Sequence, residues 1–581
     1  MPIPVDRDIH LAQALLVEGN AVLRSVAASQ LREAGVGEVT AVARLREARL
    51  ALERQRFDVV LCNREFEGEI ESGQDLLDEL RRERLLPHST VFFMVTQQAA
   101  FHQVIEAAGA ALDGLLLRPY TTAALHRRLQ EARRRKRELA TVLRALDAGE
   151  SERALTLALN RFQQGAPYAF WCGYVAAELL LDLKRPQDAR QLFEKLHGAR
   201  PQARALLGMA RAMAAAGDLG GARRLLEPML AEDPTQADAH DLHGRLLLEQ
   251  GHFEAALAAY RQAAELTPGC LLRAQHAGAL AYYQGQQEEA RRWLEQCLRL
   301  GVLSRLFDAW SLLLLALLRF DATGGVTARG GVAASNAATG LAPLCEQLQR
   351  YQQRHPQSQR LRRLTQAADW LHALAASSGN EDAAARAGEQ AHVMLAALGE
   401  EATADETSDG FDFEAANVWL ALWSRLPAPW RHEPQHLHTV HLLALRFSHG
   451  RATTEALCGA AARDVEAVAR IRGAHAEVQA LAEQAMVRSL NEQPEAAAQL
   501  LLDAGLRTRN AKLLELAVAV IRRQTQPGET LQQQLLQALK ALDRCGRPST
   551  HIAGIERAGR SAPGMRLRPP PTTGTGRTSP P

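Results

Sequence analysis

The sequence predicts a doubly wound α/β domain with a five-stranded parallel sheet, followed by an all-α solenoid of paired helices. Over residues 1–137, short apolar runs alternate with stretches of helical period, the pattern of parallel strands joined by right-handed helical crossovers. From about residue 138 the chain repeats itself at a spacing of 33 or 34 residues, and beyond residue 304 it keeps a helical period or a helix-favouring composition. A period in that range marks a unit that buries its apolar face only by stacking on its neighbours.

Strands are expected at 14–18, 36–42, 58–62, 91–95 and 114–117, with a helix over 22–34 between the first two. Such short apolar runs suit strands covered on both faces. In an open parallel sheet the strands' carboxyl ends deliver the site residues. The run VVLCN ends on Asn63 and is followed by a polar loop, which puts that side chain at the carboxyl edge.

LLVEGN at 15–20, VVLCN at 59–63, MVT at 94–96 and LLLRPY at 115–120 together resemble the receiver domain of bacterial response regulators. The resemblance covers most of the first 137 residues and implies a flavodoxin-like fold. In an active member it also implies phosphoryl transfer to an Asp beside a magnesium ion held by an acidic pair. Carried over position by position, Glu18 retains one acid of the pair and Gly19 stands where the second would be. Asn63 occupies the phosphoacceptor position, and its amide, with a delocalised lone pair and no charge, is no nucleophile towards phosphorus. Thr96 and Pro119 are retained, Arg118 replaces the Lys that pairs with phosphate, and Leu115 fills the place of a rotating aromatic switch. One carboxylate holds a hard, oxygen-seeking Mg²⁺ poorly. The expectation is a degenerate receiver, a pseudo-receiver whose pocket is Glu18, Gly19, Asn63, Thr96, Arg118 and Pro119, with no cofactor and no metal. Two other readings stay open: a doubly wound domain unrelated to signalling, and a pocket in which Glu18 and Arg118 pair through charge-assisted hydrogen bonds.

Ala189, Ala222, Ala256 and Ala290 recur at spacings of 33, 34 and 34, in step with Pro201, Pro234 and Pro268 and with Gly217, Gly251 and Gly285. The stretch ADAHDLHGRLLLEQGHFEAALAAYRQAAELTP at 237–268 resembles the tetratricopeptide repeat closely. Gly244 and Ala256 let the paired helices approach, Tyr260 and Ala263 pack between them, and Pro268 ends the second helix. Copies begin near 170, 203, 237 and 271, and a half-matching unit at 144–159 joins the stack to the first domain. The resemblance implies, for 138–304, a superhelix whose concave face is lined by the first helix of each pair and binds peptides or helices. Its inward positions fall on Trp171, Tyr174, Glu178, Arg204, Leu207, Arg211, Asp238, Asp241, Arg245, Glu249, Gln275, Tyr282 and Tyr283. That groove is mixed in charge, with aromatics at both ends.

Residues 305–545 are expected to continue as paired helices with decayed repeats, interrupted by a Gly/Ala-rich linker at 321–340 and an acidic one at 399–414. The Pro/Arg-rich tail at 546–581 has too little apolar surface to order itself.

Composition narrows the function. The chain has 581 residues, 47% hydrophobic and 23% charged, with a net charge of +2, so it carries no overall footprint for nucleic acid or membrane. Its most apolar run, SLLLLALL at 311–318, is too short to span a bilayer. With no leader pattern at the start and cysteines spread without a CxxC pair, a cytoplasmic protein with reduced thiols is expected. The Gly-rich loop at 324–331 lacks GK[ST], and the acidic 405–410 stretch lacks the carboxylates of a calcium loop. His432, His436, His438 and His441 form the one metal-like cluster, with no carboxylate or Cys to complete a tetrahedral set. The basic run at 127–137 reads as a solvated connecting helix. These observations point to a non-catalytic signalling adaptor or scaffold of a two-component-type pathway. Its receiver would dock another receiver or a histidine kinase through 101–111, 114–117 and 121–130, and its solenoid would hold a second protein. Two alternatives remain: a genuine phosphorelay regulator with an atypical acceptor, and a nucleic-acid adaptor using the basic 127–137 stretch.

Overall fold

A computed structural model describes residues 8–66, 86–97, 113–268, 270–301, 307–322, 332–377, 411–426, 434–524 and 528–545, with short pieces between 72 and 80, between 386 and 399, and at 431. The tail at 546–581 and the docking stretch at 101–111 lie outside the described residues.

Five strands, β1 (Gln13–Val17), β2 (Glu38–Val42), β3 (Val59–Asn63), β4 (Val91–Thr96) and β5 (Gly114–Leu117), form one sheet in the order β2-β1-β3-β4-β5. Every neighbouring pair is parallel. The period of two sorts the side chains onto opposite faces. Leu16, Leu61, Phe93 and Leu116 pack against α1 (Ala21–Glu33) and α3 (Thr122–Glu138), while Leu15, Val60, Phe92 and Leu115 pack with α2 (Leu45–Arg54) on the other side. Leu115 is therefore a core residue.

Part of the basic run on α3 is used within the fold, while Arg127, Arg134 and Arg137 stay exposed. Arg135 and Lys136 hold the buried carboxylate of Asp113 at 2.6 and 3.0 Å, and Arg128 donates to the carbonyl of Leu115. Lys136 also donates to the His88 carbonyl at 2.6 Å. After Leu139 the chain runs on into α4 (Ala140–Asp147), where the Asp147 carboxylate accepts the His88 amide at 2.6 Å. The division expected at 137/138 thus falls inside a clamped helical run.

Paired helices follow: α5 (Ser151–Gln163), α6 (Ala169–Asp182), α7 (Pro186–Ala199), α8 (Ala203–Ala215), α9 (Leu219–Glu232), α10 (Ala237–Glu249), α11 (Phe253–Leu266), α12 (Leu271–Tyr283) and α13 (Gln287–Gly301). The periodic residues each have a mechanical reason. Gly217, Gly251 and Gly285 take φ of +88°, +80° and +73° in the turn inside each pair, a region that glycine enters without a Cβ penalty. Ala189, Ala222, Ala256 and Ala290 are fully buried where the second helix crosses the first. In the first pair Lys184 occupies the same turn at φ +61°. Lys184→Gly is expected to stabilise the protein by about 1 kcal/mol, the left-handed penalty of a residue with a Cβ, measured as a rise in the urea midpoint at unchanged slope.

Beyond the repeats stand α14 (Trp310–Ala322), α15 (Val332–Arg354), α16 (Gln359–Ala376), α17 (Phe413–Trp423), α18 (Pro434–Phe447), α19 (Arg451–Ala460), α20 (Val465–Leu490), α21 (Pro494–Thr508), α22 (Ala511–Arg522) and α23 (Glu529–Cys545). One apolar core runs from Leu247 to Ala541, so residue 305 begins no separate body. Over 310–318 helix α14 is almost wholly apolar and is buried on every side, as such a stretch must be, and its last turn carries Arg319 and Asp321. Both expected linkers need correction. Helix α15 begins inside 321–340, because an Ala-rich stretch favours helix and Leu341, Leu344 and Leu348 anchor it in the core. The end of 399–414 is also structured: Asp412 caps α17 through the Ala415 amide at 2.9 Å, and Glu414 is buried against Arg360 at 2.5 Å.

Candidate functional site

The sheet brings the pocket residues together at its carboxyl edge. Val17 and Cys62 are register partners, so Glu18, just beyond β1, stands beside Asn63 at the end of β3, and Thr96 closes β4 next to them. Arg118 follows β5, its amide donating to the Thr96 carbonyl at 3.0 Å, and precedes Pro119 through a cis peptide bond. The Arg118 guanidinium reaches back across the edge and pairs with Glu18 Oε2. Glu18 is 3% exposed and Arg118 15% in their side chains, so the pair is shielded from solvent. The other oxygen, Glu18 Oε1, accepts the Asn20 amide at 2.9 Å. Arg24 adds a second guanidinium, donating to the carbonyls of Glu18 and Gly19 at 2.7 and 3.0 Å.

Asn63 turns to its own loop. Its amide nitrogen donates to the Glu65 carbonyl at 2.8 Å, and its oxygen accepts the Arg64 amide at 3.1 Å. Phe66 lies against Gly19, where a Cβ would sit 3.5 Å from the ring. Tyr120 lies close to the pair. Burial pushes its phenol up, Arg118 partly opposes that, and Glu18 adds to it.

The groove positions of the solenoid mostly hold each other. The Arg204 guanidinium lies 4.4 Å over the Tyr174 ring, and Tyr174 donates its hydroxyl to Gln202 at 3.1 Å. Arg211 bonds Glu178 in the preceding pair at 2.9 Å, Arg273 bonds Asp238, and His276 meets Asp241 at 3.3 Å. Arg245 is engaged with Glu249 at 3.3 Å on its own helix. Trp171 and Leu207 are half-buried against the neighbouring repeats. These side chains staple successive helix pairs, a use that a single repeat read alone does not announce.

Burial by itself would raise the Asp241 carboxyl, but the His276 hydrogen bond and the nearby charges of His276, Arg273 and Arg245 pull it below the usual range. A depressed carboxyl contributes stability that is fully present above the unfolded value near 3.8 and is lost as pH falls through the lower folded value. Asp241→Asn is therefore expected to flatten the acid limb of a pH–stability curve while leaving its neutral region less stable, measured by urea midpoints from pH 6 down to pH 3.

The last groove positions are not open at all. Every residue of α12 except Leu272 is buried, including Gln275, Tyr282 and Tyr283. At its carboxyl end α12 is covered by α19 and by Trp310 of α14. A Cβ at Gly459 would sit 2.7 Å from the Tyr283 carbonyl oxygen, so the two backbones touch. The expectation that Gln275, Tyr282 and Tyr283 face a free groove is corrected: the chain's own later helices lie on them. Tyr282 accepts Arg425 Nη2 at 3.5 Å, and Tyr283 accepts the Trp310 indole at 3.2 Å. Arg425 forms a two-pronged bond to Asp321 at 2.9 and 2.6 Å, and Arg463 joins at 3.1 Å. Sequence reasoning missed this network because Asp321 read as the start of a linker.

His432 lies outside the described residues. His436 is buried, its ring 5.2 Å from that of His392 and 6.0 Å from Trp419. Among the described residues no group of three metal-ligating side chains occurs.

Comparison with known proteins follows this division. The model of the response regulator receiver domain matches residues 14–130, and two tetratricopeptide repeat models match 171–246 and 237–270. Chemotaxis protein CheY-3 of Vibrio cholerae is 30% identical over 117 residues, which are 20% of this chain and 88% of that protein. Chemotaxis protein CheY of Pseudomonas aeruginosa is 28% identical over 117 residues, 20% of this chain and 92% of that one. Among solved structures, the APC/C hetero-tetramer Cut9-Hcn1 is similar over 71% of this chain and 86% of that chain, at 13% identity and a TM-score of 0.32.

Proposed function

The chain belongs to the response regulator receiver family through its N-terminal domain, with tetratricopeptide repeats behind it, and from this we propose that it is a non-catalytic signalling adaptor. The observation that carries the reading is the Glu18 carboxylate, whose two oxygens are taken by Arg118 and by the Asn20 amide. The residues present do not fit a magnesium ion. The one acid is engaged by a guanidinium, Gly19 offers no second carboxylate, and the Asn63 amide is bonded within its own loop. In this reading the receiver recognises a protein through its surface, and the solenoid holds another. The names of its relatives point the pathway towards chemotaxis-type signalling. No helix among the described residues is long and apolar enough to cross a membrane.

The test is intact-protein mass spectrometry of the full chain after incubation with acetyl phosphate and Mg²⁺. No gain of a phosphoryl group is expected on the natural protein. None is expected on Asn63→Asp alone either, because Glu18 stays committed to Arg118. A Mg²⁺-dependent adduct on the natural protein would overturn the reading in favour of a phosphorelay regulator with an atypical acceptor.

A further inference from the structure

We infer that α19 is a built-in ligand of the solenoid: it permanently covers the groove of the fourth repeat at its Tyr283 end, reaching back to the Gly251 turn of the third, so that outside partners reach only the groove of the first three. The occupant is a segment of the same chain, seated where a partner's helix would lie. Its Gly459 sits against the backbone of Tyr283, and at its other end Arg451 lies against the turn at Gly251, where a Cβ would meet the Arg451 side chain at 2.7 Å. Ala456 and Leu457 are fully buried.

The contact is a fixed part of the core and not a plug that a competitor lifts out. Ser424 donates to the Ala460 carbonyl at 3.3 Å, tying the end of α19 to the segment that carries Arg425. Arg425 in turn joins Asp321 on α14 to the Tyr282 hydroxyl on α12, and Arg463, just past α19, closes on the same Asp321. Removing α19 from its seat would expose these buried charges together with the apolar face of α12, and a buried charge stripped of its partner is costly. The earlier repeats differ. Glu178 and Arg211 keep 35% and 46% of their side-chain surface, and Asp238 and Arg245 of the third repeat keep 45% and 40%, whereas every residue of α12 except Leu272 is buried. The closure itself stands independently of the adaptor reading. Only the statement about outside partners rests on it.

The experiment uses the full chain with its two half-buried native thiols replaced, Cys270→Ser and Cys545→Ser. One reporter thiol is placed by Glu178→Cys and, in a second protein, another by Leu280→Cys, a buried α12 residue that lines the space between α12 and α19 together with Gly459. Maleimide labelling followed by peptide mass mapping reads each site. The Glu178→Cys thiol is expected to react within tenfold of its rate in urea-unfolded protein, and the Leu280→Cys thiol at least a hundredfold slower than in unfolded protein. Gly459→Leu, which drives a side chain into the Tyr283 backbone, is expected to speed the Leu280→Cys site by tenfold or more and leave the Glu178→Cys site unchanged. Gly459→Ala provides a milder form if the first variant loses its helical circular dichroism. Equal labelling of the two sites in the parent protein would overturn the inference, and so would indifference of the Leu280→Cys site to both Gly459 variants. Neither outcome bears on phosphoryl transfer, so failure here is distinct from failure of the adaptor reading.

Discussion

Arg425→Ala is expected to destabilise the protein by about 3–5 kcal/mol, the cost of removing one partner from a buried ion pair. Arg425 is 4% exposed and Asp321 10% in their side chains, and the guanidinium also donates to the Ala421 carbonyl at 2.7 Å. Alanine leaves the Asp321 carboxylate buried with only the more exposed Arg463 to answer it. The measurement is a urea titration followed by circular dichroism, in which the midpoint of the transition that includes α12 and α19 falls. Adding Asp321→Ala is expected to cost much less than the sum of the two single changes, since the second substitution removes the charge that the first stranded. An additive pair would mean that the two side chains do not act as a unit.

The second large effect is expected at the sheet edge. Arg118→Ala leaves the Glu18 carboxylate in its shielded site with one backbone amide as partner, which costs about 3 kcal/mol. Arg118→Lys keeps the charge but loses the planar fork, and is expected to cost about 1 kcal/mol. Thermal unfolding reads the stability, and hydrogen exchange of the peptide spanning residues 17–24 reads the site. Exchange there is expected to rise in Arg118→Ala and to stay near the natural rate in Arg118→Lys. An unchanged exchange rate in Arg118→Ala would show that the guanidinium does not hold the β1 edge.

Much of this architecture was legible from local signals. A parallel strand covered on both faces has to be a short apolar run, and the five runs mark the five strands to within a residue or two. The largest departure is β2, which starts at Glu38 because Val36 is spent closing α1, its amide bonded to the Leu31 carbonyl at 3.1 Å. The repeats were legible because three residue types report three separate constraints in one phase: a left-handed turn, a close helix crossing and a helix stop. The pocket was legible by position, since strand ends line up at one edge. Whether Asn63 would face that edge or its own loop was not.

The rest escaped for a physical reason. The ties that close the solenoid join residues 104 and 143 positions apart, and nothing in the local sequence marks one end of such a tie for the other. An apolar stretch such as 310–318 of α14 announces that it is covered without saying by what. In the same way, family geometry can place Glu178, Arg211, Asp238 and Asp241 on one face. It cannot say that each is spoken for by the adjoining helix pair.

The position of α19 in the chain also sets an order of events during synthesis. The repeats emerge from the ribosome with α12 complete at Tyr283, whereas the helix that covers it begins only at Arg451. At about 5–20 residues per second, the interval is roughly 10–30 s. For that time the end of α12 has Trp310 of α14 beside Tyr283, and the surface that α19 will cover stays open to solvent. The nascent chain therefore passes through a stage in which the seat of α19 is complete and unoccupied, and a chaperone or an early partner can reach it before the chain's own helix arrives.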